Sequence, residues 1–286
     1  MDCTAIIAQI DQQALDALVK SINIPARPSL LHDLQNELAK AEPDLKVVAQ
    51  VASRDVALSA AVLRAANSAM YSLPRKVETM DQAVGFLGLR NIGALLLGVI
   101  ARNAIQADGP MMPRFWDEST KRALALQHLS KTLRNVEQDV AQTFGLFCDL
   151  GVPLLYQRFP GYTQTLEAAA ASTERVFTEV ERDAHHTDHA TVGALMARTW
   201  GLSQHLCLAI RLHHDYTAIG EASCPDEVRQ LMAMGLVAEY AIRRYEGLSE
   251  SVEWNKGGAL ALEELGLSAD SLVNVLDDLF DKFNSL

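Results

Sequence analysis

The side chains of this chain that could hold a metal or move a proton are its histidines, its cysteines and the carboxylates near them. The 286-residue sequence carries eight histidines and four cysteines. His185 and His189 have the i, i+4 spacing of a helical metal pair. Thr187-Asp188 between them reads as a helix start with Asp188 as its cap, which breaks that shared face. The pattern therefore predicts a solvated turn over His185, His186 and His189. His32, His128 and His205 each stand alone in a helical pattern, at a surface or a satisfied core edge. Cys3, Cys148, Cys207 and Cys224 form no CxxC pair and read as reduced thiols of a cytoplasmic protein. Cys148 has no histidine beside it in sequence to activate it as a nucleophile. Gly85, Gly88 and Gly93 follow no strand, so no phosphate-cradling loop is implied. Asn67-Ser68 is a polar pair in an apolar helix, which predicts bonds to nearby backbone that fix a helix junction.

Such groups need elements to position them, and the composition points to helices. The chain holds 40 Ala and 40 Leu, both strong helix formers and poor strand markers, with only 6% aromatic residues. No alternation of β-branched residues persists long enough to make a strand, so the expected class is all-α. Pro25 and Pro28 break the chain before a helix carrying Leu30, Leu31, Leu34 and Leu38, with Ser29 as its cap. Asp55 is placed to cap a helix with Leu58, Val62 and Ala66 on one side. Thr79 and Gln82 have the capping-box pattern, and Gly88 is expected to stop that helix. Ala107 through Pro113 reads as a linker. Beyond it the spacing predicts helices from Phe115 to Leu133, Glu137 to Tyr156, 162–171, 174–184, 189–200, 203–214, Asp226 to Tyr245, 258–265 and 269–284.

The net charge is −11. That balance disfavours nucleic-acid binding, which needs clustered Lys and Arg. Residues 246–286 carry nine acidic and two basic side chains, so 2 − 9 = −7 of the charge lies there and would favour basic partners. Met1-Asp2-Cys3-Thr4 lacks the basic start of a signal peptide. The apolar run from Ile92 to Ala101 falls short of the ~20 residues that span a bilayer. The expected setting is soluble and cytoplasmic, with no membrane partner.

Two ordered series of motifs go further than composition. The first runs through Pro25-Ala26-Arg27-Pro28, then Ala57 to Ala69 with its Leu63-Arg64-Ala65-Ala66-Asn67-Ser68-Ala69 segment, then Gln82 to Leu89. The second runs through Phe115 to Ser119, Leu146 to Gly151, His189 to Leu195 and Ala209 to His214. Together they resemble the HDOD family, helical bacterial signalling domains related to the HD-superfamily metal-dependent phosphohydrolases. Val56 stands where that family often has Pro. The resemblance covers roughly residues 20–220 and implies an N-terminal helical lobe over 1–110, an HD-like lobe over 111–225, and a helical extension over 226–286.

What the resemblance implies about chemistry is a degraded metal site. Glu118, Cys148, Asp149, His189, His213 and His214 occupy the family's ligand positions, with Glu239 a candidate for the last acid. Glu replaces the first histidine and Cys148 replaces the histidine of the defining His-Asp doublet. Thiol and imidazole differ in softness and reach, so the replacement does not preserve the site. The leading expectation is a non-catalytic signal-transduction module that contacts other signalling proteins, with no resident cofactor, and that could self-associate. A divergent phosphohydrolase acting on a nucleotide or cyclic dinucleotide, and a small-molecule sensor using the remnant pocket, stay open beside it. A divalent cation is the one cofactor the remnant could take.

Overall fold

The structure is a computed structural model that describes residues 3–13, 21–54, 56–67, 75–133, 136–248, 251–284 and 286. Asp55, expected as a cap, and Ser68-Ala69 of the first motif series lie outside the described residues. Among those residues all regular structure is helical, in keeping with the all-α expectation. The chain divides into two compact units, Pro25–Gln106 with Asp281–Leu286, and Met1–Ile24 with Ala107–Phe280. The first helix, α1 (Cys3–Gln13), belongs to the larger unit. No single helix among the described residues is long and apolar enough to cross a membrane.

The smaller unit holds α2 (Ser29–Leu38), α3 (Leu45–Ser53), α4 (Val56–Ala66) and α5 (Met80–Ile105). Leu31, Leu34, Val48, Val51, Leu58, Val62, Ala83, Leu87, Ile92 and Leu96 are buried. Ser29 does not cap α2. Pro28 takes the cap position in an extended conformation and Ser29 is the first helical residue, because the proline ring already fixes the entry angle. Thr79 does cap α5, accepting from the Gln82 amide at 3.2 Å. The Gln82 side chain, however, returns to the Glu78 amide at 2.8 Å, one residue before the position a capping box predicts. Gly88 breaks α5 as expected, with φ 74° and ψ 170°, a backbone open to glycine and strained for residues with a Cβ. Asn67 ties the end of α4 to the chain before α5. Its amide donates to the carbonyls of Leu63 and Val77, and its carbonyl accepts from the Val77 amide, each at 2.8 Å.

The larger unit continues with α6 (Met112–Leu133), α7 (Gln138–Phe147), α8 (Gly151–Arg158), α9 (Tyr162–Ala171), α10 (Phe177–His185), α11 (His189–Thr199) and α12 (Gln204–Leu212). A 3₁₀ turn (Tyr216–Gly220), α13 (Asp226–Tyr245), α14 (Val252–Leu265) and α15 (Ala269–Phe283) follow. Phe147 and Trp200, both fully buried, meet edge to face at 5.9 Å in its core. α13 buries Val228, Leu231, Met232, Leu236, Val237 and Ala241, so residues after 225 are part of the packed interior.

The single helix expected from Glu137 to Tyr156 is two helices with a corner at Cys148-Asp149-Leu150. Pro153 gives the reason: in a helix interior it would lose a hydrogen bond and clash, whereas in the first turn of α8 it does neither. Gly151 gives another. A Cβ there would collide with the His189 carbonyl, so only glycine lets α8 start against the first residue of α11. That corner and that approach position the site.

Candidate functional site

Four helix ends in the larger unit bring polar groups to one place. Asp149 comes from the corner between α7 and α8, His189 opens α11, and His213 and His214 close α12. One ligand atom from each of these four lies within 4.8 Å of all the others. His189 Nε2 stands 3.1 Å from His213 Nε2, and Asp149 Oδ1 stands 3.1 Å from His213 Nε2 and 3.5 Å from His189 Nε2. His189 is 1% exposed and Asp149 21%, so the carboxylate is the accessible side of the cluster.

Each imidazole is oriented through its far nitrogen. His189 Nδ1 donates to Glu181 Oε2 at 2.6 Å, His213 Nδ1 to the Ile210 carbonyl at 2.7 Å, and His214 Nδ1 to Glu253 Oε2 at 2.9 Å. These acceptors are themselves held: the Tyr162 hydroxyl donates to Glu181, and Tyr216 and Lys256 donate to Glu253 at 2.7 and 2.8 Å. Acceptors on Nδ1 turn the Nε2 atoms of His189 and His213 toward the centre, the orientation in which histidines are presented to metals, and here the two nitrogens meet each other and Asp149. Phe177 stacks on His214 at 4.5 Å and meets His189 edge-on at 5.5 Å, which limits ring rotation.

The electrostatics follow from this geometry. Burial alone would depress the His189 imidazolium, but the Glu181 and Asp149 carboxylates outweigh it and lift its pKa to about 10. Burial, with the neighbouring His214, brings His213 down to about 4, so it is a neutral acceptor at Nε2. One proton on His189 Nε2 therefore serves two acceptors, His213 and Asp149. Burial opposes ionisation of Asp149, yet Arg122 and the two histidines hold its carboxyl well below the usual range. Burial opposes ionisation of Glu253 too, but His214, Lys256 and Tyr216 bring it to about 2. Glu239 is pushed up by burial and by Glu253 and Asp149, which places a further carboxyl in the field of the cluster.

The remaining expected site residues do not converge. Glu118 pairs with Arg114 at 2.8 Å on a partly exposed face of α6 and is not among the converging groups. Cys148 is buried, accepts from Arg122 Nη1 at 3.2 Å, and has its thiol pushed up to about 12 by burial despite the guanidinium. It is a protonated thiol beside the cluster. Arg122, one helical turn beyond Glu118, also grips Asp149 Oδ2 at 2.7 Å. The solvated turn expected over 185–189 holds for His186, which is exposed in a left-handed conformation, and fails for His189. Asp188 does cap α11, accepting from the Thr191 amide at 2.7 Å, but this start turns His189 inward. Arg122, Glu181 and Glu253 were not anticipated. Glu181 looks in sequence like its solvated neighbours Glu179 and Asp183, and nothing in the helical spacing of α14 marks Glu253. Arg122 had one signal, its place on the same face as Glu118.

As a donor set, three imidazoles with pinned Nδ1 atoms and one carboxylate fit a divalent cation. The HDOD domain model matches residues 24–216. A candidate phosphohydrolase from Shewanella amazonensis SB2B has a similar structure, with a TM-score of 0.72 and 24% identity over 94% of this chain and 98% of that one. A candidate signal transduction protein from Marinobacter aquaeolei VT8 gives a TM-score of 0.73 at 18% identity, over 98% of this chain and 64% of that one. An uncharacterized protein of Treponema pallidum (strain Nichols) is 25% identical over 229 residues, 79% of this chain and 43% of the relative. The chain spans less than half the length of the curated relatives it matches.

Proposed function

This chain belongs to the HDOD domain family, and from that premise we propose that it is a signalling module that acts through contacts with other proteins and hydrolyses no phosphoester. The observation that supports this reading most is Cys148. A phosphohydrolase of this architecture needs a nitrogen ligand beside Asp149, so that a cation can lower the pKa of a bound water and neutralise charge on phosphate. The residue there is a buried thiol, held protonated and hydrogen-bonded to Arg122. The guanidinium occupies the sulfur at 3.2 Å, and its positive charge opposes a cation there. The Asp149 carboxylate beside it is spent on Arg122 and two histidines. The cluster then serves as an ordered polar centre that fixes the ends of α7, α11 and α12, and its cytoplasmic partners are other signalling proteins. The acidic stretch over 246–286 favours partners with basic docking surfaces.

The test is turnover by the purified full chain, supplied with Mn²⁺ or Fe²⁺, on a phosphomonoester, a phosphodiester and a cyclic dinucleotide. No hydrolysis above that of the Asp149→Ala variant is expected. Turnover that Asp149→Ala abolishes would sink the reading in favour of a divergent phosphohydrolase.

A further inference from the structure

The cysteines have different surroundings. Cys148 accepts from Arg122, and the Cys207 thiol donates to the Leu202 carbonyl at 3.8 Å. Cys3 and Cys224 instead face each other, with their thiols hydrogen-bonded together. They stand 224 − 3 = 221 positions apart in sequence, yet both belong to the larger unit. Cys3 is 7% exposed and Cys224 1%.

The two sides of this pair are held differently. Cys224 sits in the turn between the 3₁₀ segment and α13. Its amide donates to the Glu221 carbonyl at 2.9 Å, and its own carbonyl accepts from Arg229 Nη1 at 2.7 Å. Arg229 is fixed in turn by Glu264 and Asp226, each at 3.0 Å. Cys3 lies on the first turn of α1, which packs against α11 and α12 and, among its described side chains, buries only Cys3 and Ile10. A helix of 11 residues is too short to be stable by itself, so α1 depends on this docking. Closing two sulfurs from hydrogen-bond contact to the ~2.05 Å of a disulfide needs a small movement, and α1 is the side that can supply it.

We propose that Cys3 and Cys224 form a reversible disulfide site, closed by a small-molecule disulfide such as oxidised glutathione, that pins α1 to the entrance of α13. The Cys3 sulfur, the more exposed of the two, attacks the glutathione disulfide as a thiolate and expels one glutathione thiolate. The Cys224 thiol gives its proton to that thiolate, attacks the Cys3 sulfur and expels the second. Two protein thiols become one S–S bond, and one glutathione disulfide becomes two molecules of reduced glutathione. Burial and the facing thiol push the Cys224 pKa up, and the Arg229 guanidinium offsets this only in part, so the second step is slow. The same surroundings make the bond durable. Dithiols that act as strong oxidants owe this to a stabilised thiolate in the reduced form, and this pair lacks one. The bond is a clamp on a helix and not a catalytic dithiol.

The test takes the full chain, reduced with dithiothreitol and desalted, through glutathione buffers of rising oxidised fraction, followed by alkylation and peptide mapping by mass spectrometry. One internal bond is expected, joining the Cys3 peptide to the Cys224 peptide, with Cys148 and Cys207 alkylated. Cys224→Ser should stop at a glutathione adduct on Cys3, Cys3→Ser should form no bond, and Cys207→Ala should keep it. Hydrogen exchange of the α1 amides should be at least about tenfold slower in the oxidised wild type, and dithiothreitol should restore the faster rate. Four free thiols at every buffer ratio, a bond between another pair, a Cys3–Cys224 bond that forms only in denaturant, or α1 exchange unchanged on closure would each overturn the proposal. The wild-type map and exchange rates decide this whether or not the serine variants fold.

Discussion

The two units bury different chemistry. In the smaller one, Glu37 is the only charged or polar side chain among the described residues that is buried; the other buried side chains there are apolar. The larger unit buries Ser119, Lys121, Gln142, Glu181, Asp188, His189, His214 and Glu253, among others, and Glu181, His189, His214 and Glu253 are linked at the histidine cluster. Aliphatic burial is non-directional and tolerant, whereas a buried charge must find a partner at a fixed distance or forfeit several kcal/mol. The smaller unit is therefore stabilised mainly by packing, and the larger unit also depends on pairings that a single substitution can undo.

The sharpest way to break that contrast is Glu181→Ala. It strips His189 of its closest carboxylate and leaves the Tyr162 hydroxyl without its acceptor. A cost of about 3–5 kcal/mol is expected, because removing one partner of a buried ion pair leaves the other without it. Trp116, Trp200 and Trp254 all lie in the larger unit, so denaturant unfolding followed by tryptophan fluorescence reads it directly. A loss under 1 kcal/mol would mean that the buried pair is not what holds this region.

Asn67→Ala is the matching change in the smaller unit. It removes three side-chain bonds to backbone at once, and about 1–3 kcal/mol of local stability should go with them. Hydrogen exchange at the Val77 amide is the reporter, since that group loses its acceptor. Protection unchanged there would place the junction's rigidity elsewhere.

The smallest effect concerns acid. The Glu37 carboxyl is held below its usual value by the Lys40 ammonium at 2.5 Å and by the Asp44 amide. A carboxyl depressed in the folded state adds stability above its unfolded value of 4.5, and that stability fades as pH falls below it. Exchange rates of α2 and α3 amides measured from pH 6 to pH 3 should show this loss in the wild type and a flatter profile in Glu37→Gln. Identical profiles would remove Glu37 from the acid response.

Much of the helical frame was legible in the residues. The limits of the helices at 162–171 and Asp226–Tyr245, the break at Gly88 and the cap at Asp188 follow from periodicity and punctuation, which are local properties. The motif series also led to the family and to Asp149, His189, His213 and His214, the four residues that converge. What stayed hidden was long-range. Glu253 reaches His214 across 39 positions and carries no local mark, and Arg122 reaches Asp149 across 27 with only its place on the Glu118 face to mark it. The turn expected at 185–189 erred for the same reason: a capping aspartate tells where a helix begins, and it does not tell which way the first residue faces.

The contact between Gly151 and the His189 carbonyl has a mechanical meaning as well. Two backbones that touch with no room for a methyl group act as a stop. The Asp149 corner and the start of α11 cannot be pressed closer, and the bonds from His213 to Asp149 and His189 keep them from parting freely. These two walls therefore move as one piece, and any breathing that admits a small ion or solvent must come from the walls that carry Arg122 or the α12 end. The sides of the centre left to yield are then those that bear the guanidinium and the α12 end.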